Sequence, residues 1–241
     1  MNSYSALGNW FENLNSDCGY EEWARYLADR LKSYGAGPAG VDVGCGNGYF
    51  TRALYRAGYA VCGVDISPQM LTVAKRTAEE EGVPCEFLLG DITKLKLTGK
   101  THFITAVNDC VNYVPPKKLK STFTRIYGCL NRGGVFHFDI SSANKIRNVL
   151  GENMFGDNGE ELSYMWFNTQ TEDGVIMDLT FFKRKKEGGY ARFDEQHRQY
   201  AHGEDEIIGA LGGAGFCKIL AEGFLGSTDK SLRIHFTCKK P

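Results

Sequence analysis

The chain reads as an α/β protein: a doubly wound, mostly parallel seven-stranded sheet carrying an inserted antiparallel β meander. Three observations predict this. Over residues 39–140, short apolar runs alternate with amphipathic stretches, as strands joined by crossover helices do. Four of these runs close on acidic or amide residues, at Asp65, Asp91, Asn108-Asp109 and Asp139. In such a sheet those ends face one crevice. Between about 161 and 201 the period becomes two, with Val175, Met177, Leu179 and Phe181 on one side and Ile176, Asp178 and Thr180 on the other.

The elements follow in order. Trp23, Leu27 and Leu31, at steps of four, predict a helix over 20–34, ended by Gly35-Ala36-Gly37-Pro38. Strand 39–43 leads into helix 49–57, closed by Gly58. Strand 60–64 ends at Asp65, and Ser67-Pro68 supplies an N-cap and a first-turn proline for a helix that Gly82 stops. Strands 85–89 and 102–107, helix 116–130 after a double proline, and strand 134–139 complete the alternation. Gly174 and Gly188-Gly189 divide the meander into three strands. A helix from Glu204 to Leu211, broken by Gly212-Gly213, then precedes strands near 216–224 and 231–238.

Composition narrows the function classes. The 241 residues suffice for one large domain with an elaboration. A formal net charge of −1 gives no reason to favour polyanions. No two of the eight cysteines form a C-x-x-C pair, and several fall in apolar runs, which favours small buried hydrophobes in a reducing compartment. His102, His137 and His235 have no neighbouring ligand set, so no metal is indicated. Residues 1–18 lack the pattern of a secretory signal, and no apolar stretch approaches the roughly 20 residues that span a bilayer. A cytoplasmic protein is expected.

Residues 41–48, Val-Asp-Val-Gly-Cys-Gly-Asn-Gly, say most about function. An apolar strand enters a turn with glycines at 44, 46 and 48, and Tyr49-Phe50-Thr51 opens a helix. Glycine permits the sharp turn and close ligand approach, and the helix start directs N–H groups toward the turn. A dinucleotide fingerprint would put its third glycine at position 49, which is Tyr49 here. That disfavours a nicotinamide-dependent dehydrogenase.

The run from Val41 through Thr51 resembles the first motif of class I S-adenosylmethionine-dependent methyltransferases. Val64-Asp-Ile-Ser-Pro-Gln-Met-Leu71, Gly90-Asp-Ile92, Asn108-Asp-Cys-Val-Asn-Tyr113 and Asn131-Arg-Gly-Gly-Val-Phe136 are similar to its later segments, in order across 39–140. Less specifically, Tyr20-Glu-Glu-Trp23 and Arg192-Phe-Asp-Glu-Gln-His197 resemble a bacterial subgroup that includes glycine/sarcosine-type and amino-sugar N-methyltransferases. The resemblance implies a Rossmann-like methyltransferase fold in three parts. These are a helical lid at 1–36, a cofactor-binding core at 37–140 and 203–241, and an antiparallel insert at 141–202 over the acceptor site.

It also implies S-adenosylmethionine as cofactor, with S-adenosylhomocysteine as product, and a role for each matching residue. Gly44, Cys45 and Gly46 would lie against the methionine part, and Asp42 would orient its amino end. Asp65 would take the ribose hydroxyls, Ile66 and Met70 would flank adenine, and Asp91 and Ile92 would meet its polar edge. Asn108 and Asp109 would sit by the methionine ammonium, and Tyr20 would belong to the lid. Plainer readings stand beside these: Tyr20, Ile66 and Met70 as core, Asp91 as a turn residue, Asn112 as a cap and His197 as a structural histidine.

Methyl transfer from a sulfonium is an in-line displacement with a good leaving group already present, so alignment and exclusion of water are the protein's work. Asp109, Tyr113 and His197 are the candidates for acid–base work near the acceptor. A small-molecule acceptor is expected, an amine being preferred through the subgroup, with neither nucleic acid nor membrane as partner and a monomer or homodimer as the assembly. A methyltransferase acting on RNA or another macromolecule, and a catalytically silent cofactor-binding module, are the rival readings.

Overall fold

In the computed structural model, which describes residues 19–241, two sheets carry the chain. The seven-stranded sheet has the order β10-β11-β5-β4-β1-β2-β3. It is built from β1 (Ala39–Val43), β2 (Ala60–Asp65), β3 (Phe87–Leu89), β4 (Thr101–Ala106), β5 (Leu130–Ser141), β10 (Cys217–Gly223) and β11 (Arg233–Lys239). The strands from β3 across to β5 pair in parallel, and β11 runs antiparallel between β5 and β10. Val41 sits opposite both Cys62 and Ile104, so the apolar runs stand in register across the centre of the sheet.

Helices cover both faces, which is why the central strands are apolar nearly throughout. On one face Trp23, Leu27 and Leu31 of α1 (Tyr20–Ser33) and Phe50 and Leu54 of α2 (Tyr49–Arg56) bury against Phe103 and Val135. On the other, Phe123 and Ile126 of α4 (Leu119–Cys129) and Ile207 and Leu211 of α5 (Glu204–Ala214) pack on Ile104, Phe136, Phe138 and Phe236. Between β2 and β3, α3 (Pro68–Glu80) sets Leu71, Ala74 and Ala78 on Phe87. Its start has the expected cap: Ser67 Oγ accepts from the Met70 N–H, and Pro68 follows. Among the described residues no helix is long and apolar enough to cross a membrane.

The second sheet has four strands: β6 (Met154–Asn158), β7 (Leu162–Thr171), β8 (Gly174–Arg184) and β9 (Tyr190–Tyr200). The sequence predicted three; β6 escaped because all but one of its residues are exposed and it shows no alternation. Val175, Met177 and Phe181 are buried on one side of β8, as the period of two required. Val175 and Met177 pack on Ile146 and Leu150 of a wide helical turn, Lys145–Leu150, that joins this sheet to β5.

Two further boundaries moved. Gly212 and Gly213 do not break α5, because buried Ile207 and Leu211 carry the helix past them to Gly215, whose φ of +102° ends it. Strand β5 begins at Leu130 rather than 134, directly at the end of α4. Residues 1–18 of the proposed helical lid lie outside the described residues.

Gly40 of β1 tests the packing of the centre. A Cβ there would stand 2.1–2.3 Å from ring atoms of Phe103, which is fully buried. Gly40→Ala is expected to lower the unfolding free energy by about 1–3 kcal/mol, the usual cost of overpacking. Urea unfolding measures it, and an unchanged midpoint would mean that Phe103 repacks freely.

Candidate functional site

A cleft of about 310 Å³ opens at the carboxyl ends of β1, β2 and β4. Tyr20, Asp42, Gly44, Cys45, Gly46, Asp65, Ile66, Met70, Asp91, Ile92, Asn108 and Tyr113 all line it. So do Tyr49, Cys110, Pro115 and Lys118, which sequence reasoning did not assign. Tyr49 and Cys110 lie within the segments that carry the family resemblance, and that membership was the available signal.

The glycine turn works by conformation and clearance. Gly44, Gly46 and Gly48 have φ of +71°, +54° and +80°, the left-handed region that side-chain-bearing residues avoid. A Cβ on Gly44 would meet Cys110 Sγ at 2.3 Å, and one on Gly48 would meet Phe87 at 2.7 Å. At Gly46 the nearest neighbour would be the Met70 methyl at 3.2 Å. The N–H groups of the turn are already engaged. Gly44 and Cys45 donate to the Val64 carbonyl, Gly46 donates to Asp65 Oδ2 at 2.8 Å, and Gly48 donates to the Cys45 carbonyl. The expected cradle of unpaired donors is therefore absent from the turn itself, and a pyrophosphate would find these groups spent.

Asp65 is bound from two sides, by the Gly46 N–H and by the Ser67 N–H at 2.8 Å. Burial raises its pKa, against the pull of these donors. Asp42 is deeper and accepts from Thr51 Oγ1 at 2.7 Å and Thr105 Oγ1 at 2.8 Å. Burial pushes its carboxyl up to about 6, despite both hydroxyls. Asp91 caps the turn at Ile92 by accepting from the Thr93 N–H and hydroxyl. Ile66 is 67% exposed on the cleft wall and so is no core residue, whereas Met70, at 1%, is both core and lining. Tyr20 packs tilted against Tyr49 and edge-to-face with Phe50, and its hydroxyl accepts from Asn108 Nδ2 at 3.2 Å.

After β4 the backbone turns through two left-handed residues, Asn108 (φ +62°) and Asp109 (φ +67°). Asp139 holds both, its Oδ1 accepting from the Asn108 N–H at 2.6 Å and its Oδ2 from the Asp109 N–H at 3.2 Å. Asp109 itself departs from expectation: it does not line the cleft. Its carboxylate turns to Arg233 Nη1 and Ser141 Oγ, at 2.8 and 2.9 Å. Burial opposes its ionisation, but the Arg233 and Lys145 charges outweigh that and hold its pKa below the usual range. An ion-paired acid facing away from the cleft is no base for the acceptor. Asn112 caps nothing in the next turn; it stitches the Ser141 N–H and carbonyl to the Tyr200 carbonyl.

His197 reaches the cleft only through Tyr113. Its Nδ1 lies 3.3 Å from the Tyr113 hydroxyl and its Nε2 lies 3.3 Å from Glu195 Oε2. Glu195 and His197 are buried on one face of β9, two residues apart, as strand geometry places them. The Glu-x-His spacing was the overlooked signal for Glu195.

Residues 41–134 match the model of a methyltransferase domain family. A candidate methyltransferase of Geobacillus sp. (strain WCH70) is 32% identical over 99% of this chain and 100% of its own. The chain belongs to the class I S-adenosylmethionine-dependent methyltransferases. An S-adenosylmethionine-dependent methyltransferase structure from Clostridium acetobutylicum superposes with a TM-score of 0.87 at 30% identity, over 95% of each chain. The sugar N-methyltransferase KedS8 from Streptoalloteichus sp. shares the fold, with a TM-score of 0.82 at 14% identity over 100% of this chain and 95% of that one. The methyltransferase cleft suits a cofactor without phosphates, since the N–H groups of Gly44, Cys45, Gly46 and Gly48 are already bonded while carboxylates and apolar side chains line it.

The buried Asp42 carboxyl gives a sign to pH dependence. In the folded chain it keeps its proton up to about pH 6, while unfolded it loses it near 3.8. Between those values the folded state binds more protons, so this group's contribution to stability falls as pH rises. Asp42→Asn should therefore gain about 2–3 kcal/mol relative to wild type between pH 4 and pH 7. Denaturant unfolding at both pH values measures this; a difference independent of pH would refute it.

Proposed function

We propose that this enzyme moves the methyl group of S-adenosylmethionine to a small-molecule acceptor, an amine by preference, by in-line displacement. The observation that carries this reading is Tyr113, a residue of the cleft lining whose hydroxyl meets a buried imidazole backed by a buried carboxylate. The KedS8 likeness, which concerns fold alone, and the lack of a basic surplus agree with a small acceptor. We assign the acceptor side to Tyr113 and to the insert that carries His197, and assign Tyr20, at the start of α1, to a cover over the cofactor.

The cofactor supplies an electrophilic methyl on a sulfonium that leaves as a neutral thioether; the chain's residues bind and align. Asp65, at the end of β2, is placed to accept from ribose hydroxyls, and Ile66, Met70 and Ile92 offer apolar walls to adenine, with Asp91 at its edge. Gly44, Cys45 and Gly46 leave room for the methionine part, and Asn108 presents its side chain to the amino end. Asp42 acts as a brace, since both its oxygens already bind threonine hydroxyls. With Nε2–H donating to Glu195, His197 Nδ1 can accept the Tyr113 hydroxyl proton as the Tyr113 oxygen takes the proton released by the methylated amine.

Two measurements test this. Release of S-adenosylhomocysteine is assayed with amino sugars and small primary amines, and with RNA as the rival. Turnover is expected on a small amine, with Tyr113→Phe lowering kcat about tenfold or more while S-adenosylhomocysteine affinity holds. Turnover on RNA alone would overturn the reading. Separately, Asp65→Asn should weaken S-adenosylhomocysteine binding by about tenfold or more, the worth of hydrogen bonds to a charged group. Unchanged affinity in a calorimeter would remove Asp65 from the site.

A further inference from the structure

Arg233 belongs to β11, far along the chain from every motif of the cleft, yet its guanidinium lies beneath the turn that follows β4. It bonds Asp109 Oδ1 at 2.8 Å and also engages Asp139 Oδ2. Over its other face lies the ring of Trp23, 4.8 Å from the guanidinium carbon. Its side chain is 13% exposed, so the charge is largely removed from water.

The turn needs this support. Two consecutive non-glycine residues in the left-handed region carry a conformational cost that surrounding structure must offset. Asp139 does so with one oxygen for each N–H, which brings a second buried carboxylate beside Asp109. Without a shared cation, two carboxylates in such a site repel and one must protonate or move. Movement would be felt in the cleft directly. Asn108 reaches Tyr20 through its amide, and Cys110 stands where a Cβ on Gly44 would be, 2.3 Å from its Sγ.

We infer that Arg233 is a positioning residue for the amino-acid end of the cofactor: it clamps Asp109 and Asp139 so that the Asn108–Asp109 turn holds its left-handed shape against Gly44 and Tyr20. This rests on the cofactor orientation proposed above, with adenine toward Asp91 and the amino acid toward Asn108. The adenosyl end of the cleft, at Asp65, Ile66 and Ile92, has no contact with this clamp and should not sense its loss.

Two adenosyl thioethers separate the ends. S-adenosylhomocysteine carries the amino-acid part, and 5′-methylthioadenosine lacks it. Calorimetry on the full chain gives the affinity ratio of the two for wild type, Arg233→Gln, Arg233→Lys and Gly40→Ala. Arg233→Gln is expected to lose about tenfold or more for S-adenosylhomocysteine while 5′-methylthioadenosine stays within about threefold. Arg233→Lys, which keeps the charge without the fork, should fall between. Gly40→Ala, destabilised elsewhere, should keep the wild-type ratio. Should Arg233→Gln fail to fold, Arg233→Lys carries the test, with a ratio reduced by about threefold or more.

A ratio unchanged in the Arg233 variants, whether by no loss or by parallel loss of both ligands, would overturn the inference. A wild type that binds S-adenosylhomocysteine no more tightly than 5′-methylthioadenosine would instead overturn the proposed orientation, and the inference with it.

Discussion

Carboxylates at strand ends, buried and spent on the loops beside them, are the constraint on which the cleft depends. Asp65 ends β2 and holds the Gly46 N–H of the turn after β1. Asp139, near the end of β5, holds both N–H groups of the turn after β4. Asp42 in β1 ties the start of α2 through Thr51 and the neighbouring β4 through Thr105. Asp65 and Asp139 each fix a loop that belongs to a different strand, and Asp42 ties β4 to the helix after β1, so the floor of the cleft is set by hydrogen bonds across the sheet and not by any loop alone. Burying a carboxylate is costly unless donors surround it. The pKa of Asp42 and that of Asp139, both pushed up to about 6 by burial, mark how much of that cost the donors leave uncovered.

The same arrangement determines what the cleft can hold. Phosphate-binding turns leave N–H groups pointing outward. Here those of Gly44, Cys45, Gly46 and Gly48 turn inward to Val64, Asp65 and Cys45. What remains at the surface is steric room, carboxylate edges and apolar side chains, a set suited to hydroxyls, an aromatic base and a cationic centre. The charges follow this division. Asp65 and Asp91 face the cleft, whereas Asp109 and Asp139 are neutralised behind it by Arg233. Trp23 and Arg233, from opposite ends of the described chain, meet at the back of the cleft floor.

Local chemistry made much of this legible in the sequence. Strand-to-glycine-turn patterns located β1 and α2, Ser67-Pro68 located the start of α3, and apolar acids-at-the-end runs located the crevice. The elements lost were those whose signal is not local. Strand β6 contributes only the half-buried Phe155 to packing and pairs with β7 at the sheet edge, so no alternation marks it. Asp109 was placed in the cleft with Asn108 by its position in the family motif; Ser141 and Arg233, both distant in sequence, turn it away. Glu195 was passed over because its value depends on Tyr113, which the fold brings from the turn after β4 to His197, two residues from Glu195 on the same strand. In α5, tertiary burial of Ile207 and Leu211 overrode the helix-breaking tendency of Gly212 and Gly213.

On this reading the floor braced by these acids cups an adenosyl sulfonium. A crystal structure of the enzyme with S-adenosylhomocysteine tests it most directly. The methionine part is predicted to lie along the Gly44–Gly46 turn, with adenine toward Asp91, the ribose hydroxyls on Asp65 and the sulfur directed toward the Tyr113 side. A molecule bound outside this cleft, or one reversed so that its amino acid meets Asp91, would contradict it.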